Sequence, residues 1–394
     1  MDAARRHDLD WIRIGAFTLL ILYHVGMYYV TWDYHVKSPH ASSALQPWLL
    51  LTAPWRLGLL FLVSGAASAF LLARDGAGFA AARSRRLLIP LAFGMLVVVV
   101  PQAYFEVVEK LGWRGGYLAF WGRYLAGDRG FCLPQGCLVL PTWNHLWFVA
   151  YLWVYTMGLW ALRRWLPGLL ARLEDGAARA LGGIGVLLWP AAWAVAMRVL
   201  LQDRFPTTHA LVDDFYNHAV FAPAFLLGAL VARRVAVWEA LRRVRWLALA
   251  LALPCSAFLA WHYGSYSAEH PAPLALVRAE RVLFALDQWW AIAAVLGFGR
   301  AWSPGDSTLL RYLTQAVFPF YIVHQTALIL VVHALRPLDL APSVEGPLLV
   351  AATFASCFAS FELIRRVDWL RPLFGLRPRS RARPPPTAPR PDPA

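Results

Sequence analysis

Ten apolar runs of about bilayer length, separated by segments that carry arginine, constrain this chain more than any other feature. They cover residues 11–30, 47–73, 87–107, 143–163, 181–201, 215–232, 244–262, 281–299, 309–334 and 346–366. A hydrocarbon core of about 30 Å takes about 20 residues of α-helix. In lipid every backbone N–H and C=O needs an internal partner, which a helix supplies from its own chain. The expected fold is therefore all-α: a polytopic integral membrane protein with about ten transmembrane helices. Residues 1–376 read as one membrane domain, and 377–394 as a disordered Arg/Pro-rich tail. Only 15% of the chain is charged, where a soluble domain has about a quarter. The first run lacks a small-residue cleavage site, so it reads as a retained helix rather than a signal peptide.

The arginines fix an orientation. If the N-terminus faces the cytoplasm, 26 basic residues fall on that side and 9 on the other. The positive-inside rule then places both ends in the cytoplasm, in a bacterial inner membrane. A net charge of +14 would also suit a nucleic-acid binder. Here the positive charge lies between apolar runs, so the expected partner is the bilayer and not nucleic acid.

Ionisable groups inside a bilayer are costly and mark functional sites. Arg13, His24, Arg56, Asp287, His324 and Glu362 are the candidates. With a rise of 1.5 Å per residue, His24 lies ~18 Å from the cytoplasmic edge and His324 ~20 Å. Arg56 then lies ~12 Å and Asp287 ~9 Å below the outer edge. Arg13 is eleven residues, about three turns, before His24 and shares its face. Two imidazoles, a guanidinium and a carboxylate are thus expected in one slab of the outer half. His145 and His333 read as interfacial, Glu362 as the local partner of Arg365 and Arg366, and Asp287 as able to neutralise Arg56.

On the cytoplasmic side, Arg83, Arg85 and Arg86 in ARSRRLLIP suit either a phosphate-bearing ligand or a topological anchor. The sequence has no HxxH, HExxH or close His/Cys set for a metal, and no P-loop, so neither metal nor bound cofactor is expected. Cys132 and Cys137, in the outside loop 108–142, read as a disulfide or as two free thiols.

These segments resemble the acyltransferase 3 family of membrane O-acyltransferases. RRHDLDWIRIGAFTLLILYH, PWRLGLLFLVSGAA, FAAARSRRLLIP, NHLWFVAYL, FPFYIVHQ and FELIRR followed by LRPLFGLR carry the likeness in order along the chain. They are most similar to the branch that modifies periplasmic glucans. The resemblance implies acyl-CoA as co-substrate, a hydroxyl of an envelope glycan as acceptor, and Arg13 and His24 as the residues tied to activity. His24 would serve as general base or acyl carrier, with His324 in the same slab. From depth alone, Asp287 would orient an imidazole and Arg56 would stabilise an oxyanion. Arg83, Arg85, Arg86 and Arg13 would draw in the donor's phosphates. The competing reading is a transporter or flippase for a glycan or lipid-linked substrate, which also places polar groups near the midplane.

Overall fold

The computed structural model describes residues 6–133, 136–267, 269–302 and 305–379. Arg5 and most of the expected tail, 380–394, lie outside them. The helices follow in order: α1 (His7–Tyr29), α2 (Gln46–Leu50), α3 (Ala53–Asp75), α4 (Phe79–Phe93), α5 (Val100–Leu111), α6 (Tyr117–Leu125), α7 (Trp147–Trp165) and α8 (Pro167–Ala180). There follow α9 (Gly185–Leu201), α10 (Phe215–Val231), α11 (Val235–Ser265), α12 (Leu274–Trp302), α13 (Thr308–Leu335), α14 (Pro342–Arg366) and α15 (Leu370–Leu373).

Each of the ten apolar runs falls on these helices. Among the described residues, seven helical stretches are long and apolar enough to cross a membrane, or eight if α8 and α9, bent by 110° at their junction, count as one span. The count is lower than ten for two reasons. Residues Ser43–Leu111 form one 69-residue helical stretch, in which 3-10 and π turns join α2 to α5. At 17 residues, α10 is short for a span. The protein is thus an all-α, multi-pass membrane protein. Its outer surface agrees, with Trp48, Trp189, Trp193, Trp246 and Trp261 all exposed.

Residue chemistry accounts for the breaks. Gly112 takes the left-handed conformation that closes α5, its N–H reaching the Val107 carbonyl. Pro167 opens α8, where the missing N–H costs nothing. Ser307 caps α13 by accepting from the Leu310 N–H. The core centres on Phe61, whose ring meets Phe148 (4.4 Å), Phe221 (4.9 Å) and Tyr155 (5.5 Å). There α3 crosses α10 backbone to backbone, because a Cβ at Gly65 would strike the Phe225 carbonyl and one at Gly228 the Leu62 carbonyl.

In the long loop, Cys132 and Cys137 pair across a two-stranded antiparallel ribbon, β1 (Cys132–Leu133) with β2 (Gly136–Cys137), and a disulfide joins them. This resolves the alternative left open above. Cys255 and Cys357 are buried free thiols.

Candidate active site

A cavity of about 750 Å³ lies among α1, α3, α7, α13 and the segments 34–35, 139–145 and 208–210. His24, Arg56, Tyr23, Tyr34, His35, His145 and Gln325 are among its lining residues. Past the end of α1 the chain folds back over it. Lys37 Nζ donates to the carbonyls of Met27 (2.7 Å) and Val30, which the helix end leaves free. Burial pulls this ammonium down to about 8.

The imidazoles of His24 and His324 meet, His24 Nδ1 lying 2.9 Å from His324 Nε2. The other nitrogen of His324, Nδ1, is 2.8 Å from the Tyr321 carbonyl oxygen. A carbonyl only accepts, so His324 Nδ1 carries the hydrogen. In the neutral ring Nε2 is then the acceptor, and His24 Nδ1 must donate to it. The proton positions are assigned from this network. They leave Nε2 of His24 as its basic nitrogen, on a ring that lines the cavity.

His145 is held in the same way. Its Nε2 donates to the carbonyls of Tyr321 (3.0 Å) and Ile322 (3.3 Å). Its Nδ1 accepts from Gln102 Nε2 (3.4 Å), which also donates to Thr326 Oγ1 (2.7 Å). Asn144 Nδ2 donates to Gln102 Oε1 (3.1 Å), and Thr326 Oγ1 donates to the Val98 carbonyl (2.6 Å). The π turn Gly94–Val98 supplies that carbonyl. His145 is therefore no interfacial residue but a buried one, turned inward by the 3-10 turn Asn144–Leu146. Asn144 takes a φ of 40° there, a conformation that Asn tolerates better than most residues. Sequence depth missed Gln102 as well, an amide in an apolar run that invited the same question as the charges.

Arg56 is 2% exposed. Its guanidinium lies 4.2 Å from the centre of the Tyr23 ring, and Nη1 donates to Thr52 Oγ1 (2.8 Å). Its Nε has no partner among the described residues. Asp287 does not join it. That carboxylate is fully buried on α12, accepts from Ser256 Oγ of α11 (2.7 Å) and is absent from the cavity lining. Neither the expected Arg56–Asp287 pair nor an Asp287–imidazole contact forms, because equal depth does not mean equal azimuth around the bundle. His333 packs against Phe105, the ring centres 4.3 Å apart and the planes tilted by 39°. Glu362 binds Arg365 and Arg366 as expected, and also accepts from the Tyr312 hydroxyl.

Toward the other end of α1, Arg13 bonds Asp10 (3.3 Å) and lies within electrostatic range of Arg83 and Arg86. Arg83 and Arg86 are three residues apart and share a face of α4, whereas Arg85 projects elsewhere. The segment after α14 closes on this cluster. Gly375, at a φ of 70°, packs on Phe318 and the Arg86 carbonyl, and Arg377 comes within electrostatic range of Arg86.

The family model described as "Acyltransferase domain" matches residues 6–362. Two similar proteins are both named "Glucans biosynthesis protein C". The one from Escherichia coli is 25% identical over 336 residues, and the one from Shigella dysenteriae is 25% identical over 340. Each alignment covers 82% of this chain and 82% of the relative. No solved structure is a significant match.

Proposed function

The chain belongs to the acyltransferase domain family, and on that premise we propose that it moves an acyl group from cytoplasmic acyl-CoA to a hydroxyl of an envelope glycan. The observation that carries this reading is the His24–His324 pair on the wall of a cavity of about 750 Å³. The relatives' name favours a glucan as acceptor. Membership in an acyltransferase family gives the paired imidazoles a chemical task, which the transporter reading does not.

In this mechanism the acceptor hydroxyl enters the outer cavity and gives its proton to His24 Nε2. His324 accepts from His24 Nδ1 and so stabilises the imidazolium that forms, as a buried partner does in other His-based catalysts. The oxygen attacks the acyl carbon of the thioester. Arg56, whose side chain lines the cavity, stabilises the tetrahedral oxyanion. The C–S bond breaks and the leaving thiolate takes up the proton. Arg13, Arg83 and Arg86 hold the donor's phosphates. Arg85 stands apart from that face and acts as an anchor.

The orientation that fits has both termini in the cytoplasm of an inner membrane, with ten crossings. The test is mass spectrometry of envelope glycans from cells with and without the gene. Acyl-bearing glucan that disappears with the gene and returns with the wild-type copy supports the reading. An unchanged acyl pattern contradicts it.

A further inference from the structure

The segment that follows α1 is pinned over the cavity. The backbone N–H groups of Ser38 and Ser42 donate to the carbonyls of Tyr28 (3.0 Å) and Tyr29 (2.8 Å), besides the two bonds from Lys37 Nζ. His35 lies in this segment and lines the cavity of about 750 Å³. Its Nδ1 is 2.5 Å from Oε2 of Glu106 on α5. Lys110 Nζ donates to the other oxygen, Oε1 (2.9 Å), and to Asp33 (2.8 Å). A carboxylate held by a cation only accepts, so His35 Nδ1 carries the hydrogen. That leaves Nε2 to the cavity the ring lines. A carboxylate behind Nδ1 fixes both the tautomer and the direction of the ring. The transfer chemistry given above uses His24 and His324 and gives His35 no task.

His35 and His24 line one space. Tyr34 stands between them, its ring centre 6.2 Å from that of His24 with the planes 16° apart, and 5.3 Å from that of His35. His35 lies within electrostatic range of both His24 and His145. Tyr34 lines the cavity too, and its hydroxyl is buried with no partner among the described residues. Such a group costs free energy unless a ligand or a water meets it. Trp143 and Trp147 are in the same lining. The space therefore has aromatic walls and a few fixed polar groups, the make-up of a small-molecule site. Two imidazoles one aromatic ring apart are spaced to be bridged by a single hexose.

We infer that His35 is a second sugar-binding residue of the acceptor site. Its Nε2 bonds one hydroxyl of the sugar unit whose reacting hydroxyl gives its proton to His24, and Glu106 holds the ring in place for this. The inference rests on the acyl-transfer reading given above. His35 makes and breaks no covalent bond; it sets which hydroxyl lies against His24. The acceptor so selected carries at least two free hydroxyls on one ring. Glu106 acts through His35 and is a positioning residue.

The experiment uses the full chain in lipid nanodiscs, with acetyl-, hexanoyl- and succinyl-CoA as separate donors. The acceptors are methyl β-glucoside and each of its monodeoxy forms, and acylated sugar is counted by mass spectrometry. In the wild type, removal of one hydroxyl other than the acylated one is expected to lower kcat/KM by roughly 10- to 100-fold, the cost of leaving a built hydrogen-bonding site unfilled. His35→Asn keeps an N–H for Glu106 and has nothing in the place of Nε2. It is expected to lose the same factor on the full sugar and to lose nothing more on that deoxy sugar. His35→Ala is expected to show the same pattern. Wild-type activity in His35→Asn overturns the inference, because the ring then serves only to bind Glu106. A full deoxy penalty in active His35→Asn also overturns it, since another group then holds that hydroxyl. Failure of folded wild-type protein to acylate any sugar with any of the donors overturns the acyl-transfer reading together with this inference.

Discussion

His145 and His324 share one acceptor, the carbonyl oxygen of Tyr321, at 3.0 and 2.8 Å. Both rings therefore turn an N–H toward the same backbone atom. The consequence differs between them. His145 has its second nitrogen occupied by Gln102, whereas His324 offers its second nitrogen to His24. Among the described residues of this network, the His24–His324 arm ends in a basic nitrogen of a ring that lines the cavity of about 750 Å³.

His324 thus positions His24 by accepting from its Nδ1, and the type of replacement matters. His324→Ala removes the acceptor and is expected to lower kcat by ~100-fold, within the ~10²–10⁴ that a general base contributes. His324→Gln keeps an acceptor and is expected to recover part of that loss. Steady-state kinetics of both variants, at matched folded amounts, measure the difference. Equal activity of the two would remove the positioning role.

The basic cluster separates neighbouring arginines. Arg83→Gln and Arg86→Gln are each expected to weaken acyl-CoA binding by about 1.5–3 kcal/mol, the value of a charge-assisted hydrogen bond. Arg85→Gln, around the helix from them, is expected to stay within about 0.5 kcal/mol. Isothermal titration with acyl-CoA distinguishes the three. A loss at Arg85 as large as at Arg86 contradicts the shared-face assignment.

Depth was legible in the sequence and azimuth was not. A fixed rise per residue put His24 and His324 at one level, and they meet. The same arithmetic put Asp287 there too, yet it faces Ser256 across the α11–α12 contact. Its azimuth depends on how α11 and α12 pack, which no local pattern encodes. His145 was misjudged because its place at a helix start suggested an interface. A 3-10 turn and a positive φ at Asn144 carry it inward instead. Of the three α4 arginines, Arg83 and Arg86 come within electrostatic range of Arg13.

The α3–α10 crossing depends on two missing side chains. Gly228→Ala is expected to destabilise the folded protein by about 1–3 kcal/mol, as overpacking does, because its Cβ meets the Leu62 carbonyl. Gly158→Ala on α7, with nothing within 4 Å of the added carbon, is expected to be neutral or stabilising by up to about 1 kcal/mol. Thermal unfolding in detergent, followed by size-exclusion chromatography, compares them.

The proposed orientation makes its own demand. Reporters fused after residues 80, 170, 238 and 394 are expected to read cytoplasmic. Reporters near 40, 125, 210, 270 and 340 are expected to read extracytoplasmic. One robust inversion near 170 or 210 would show that α8 and α9, with their 110° bend, do not carry the chain across as proposed.

The most direct measurement is the initial rate of acyl transfer by purified His24→Gln. Glutamine keeps a hydrogen-bonding group opposite His324 but cannot take a proton from a hydroxyl. An interhelical hydrogen bond in a membrane is worth about 0.6 kcal/mol on average, so the folded amount is expected to survive the change. Transfer is expected to fall by ~100- to 10,000-fold, the contribution of a general base. A rate near that of the wild type, from protein folded to the same extent, would contradict the assignment of His24 as the base.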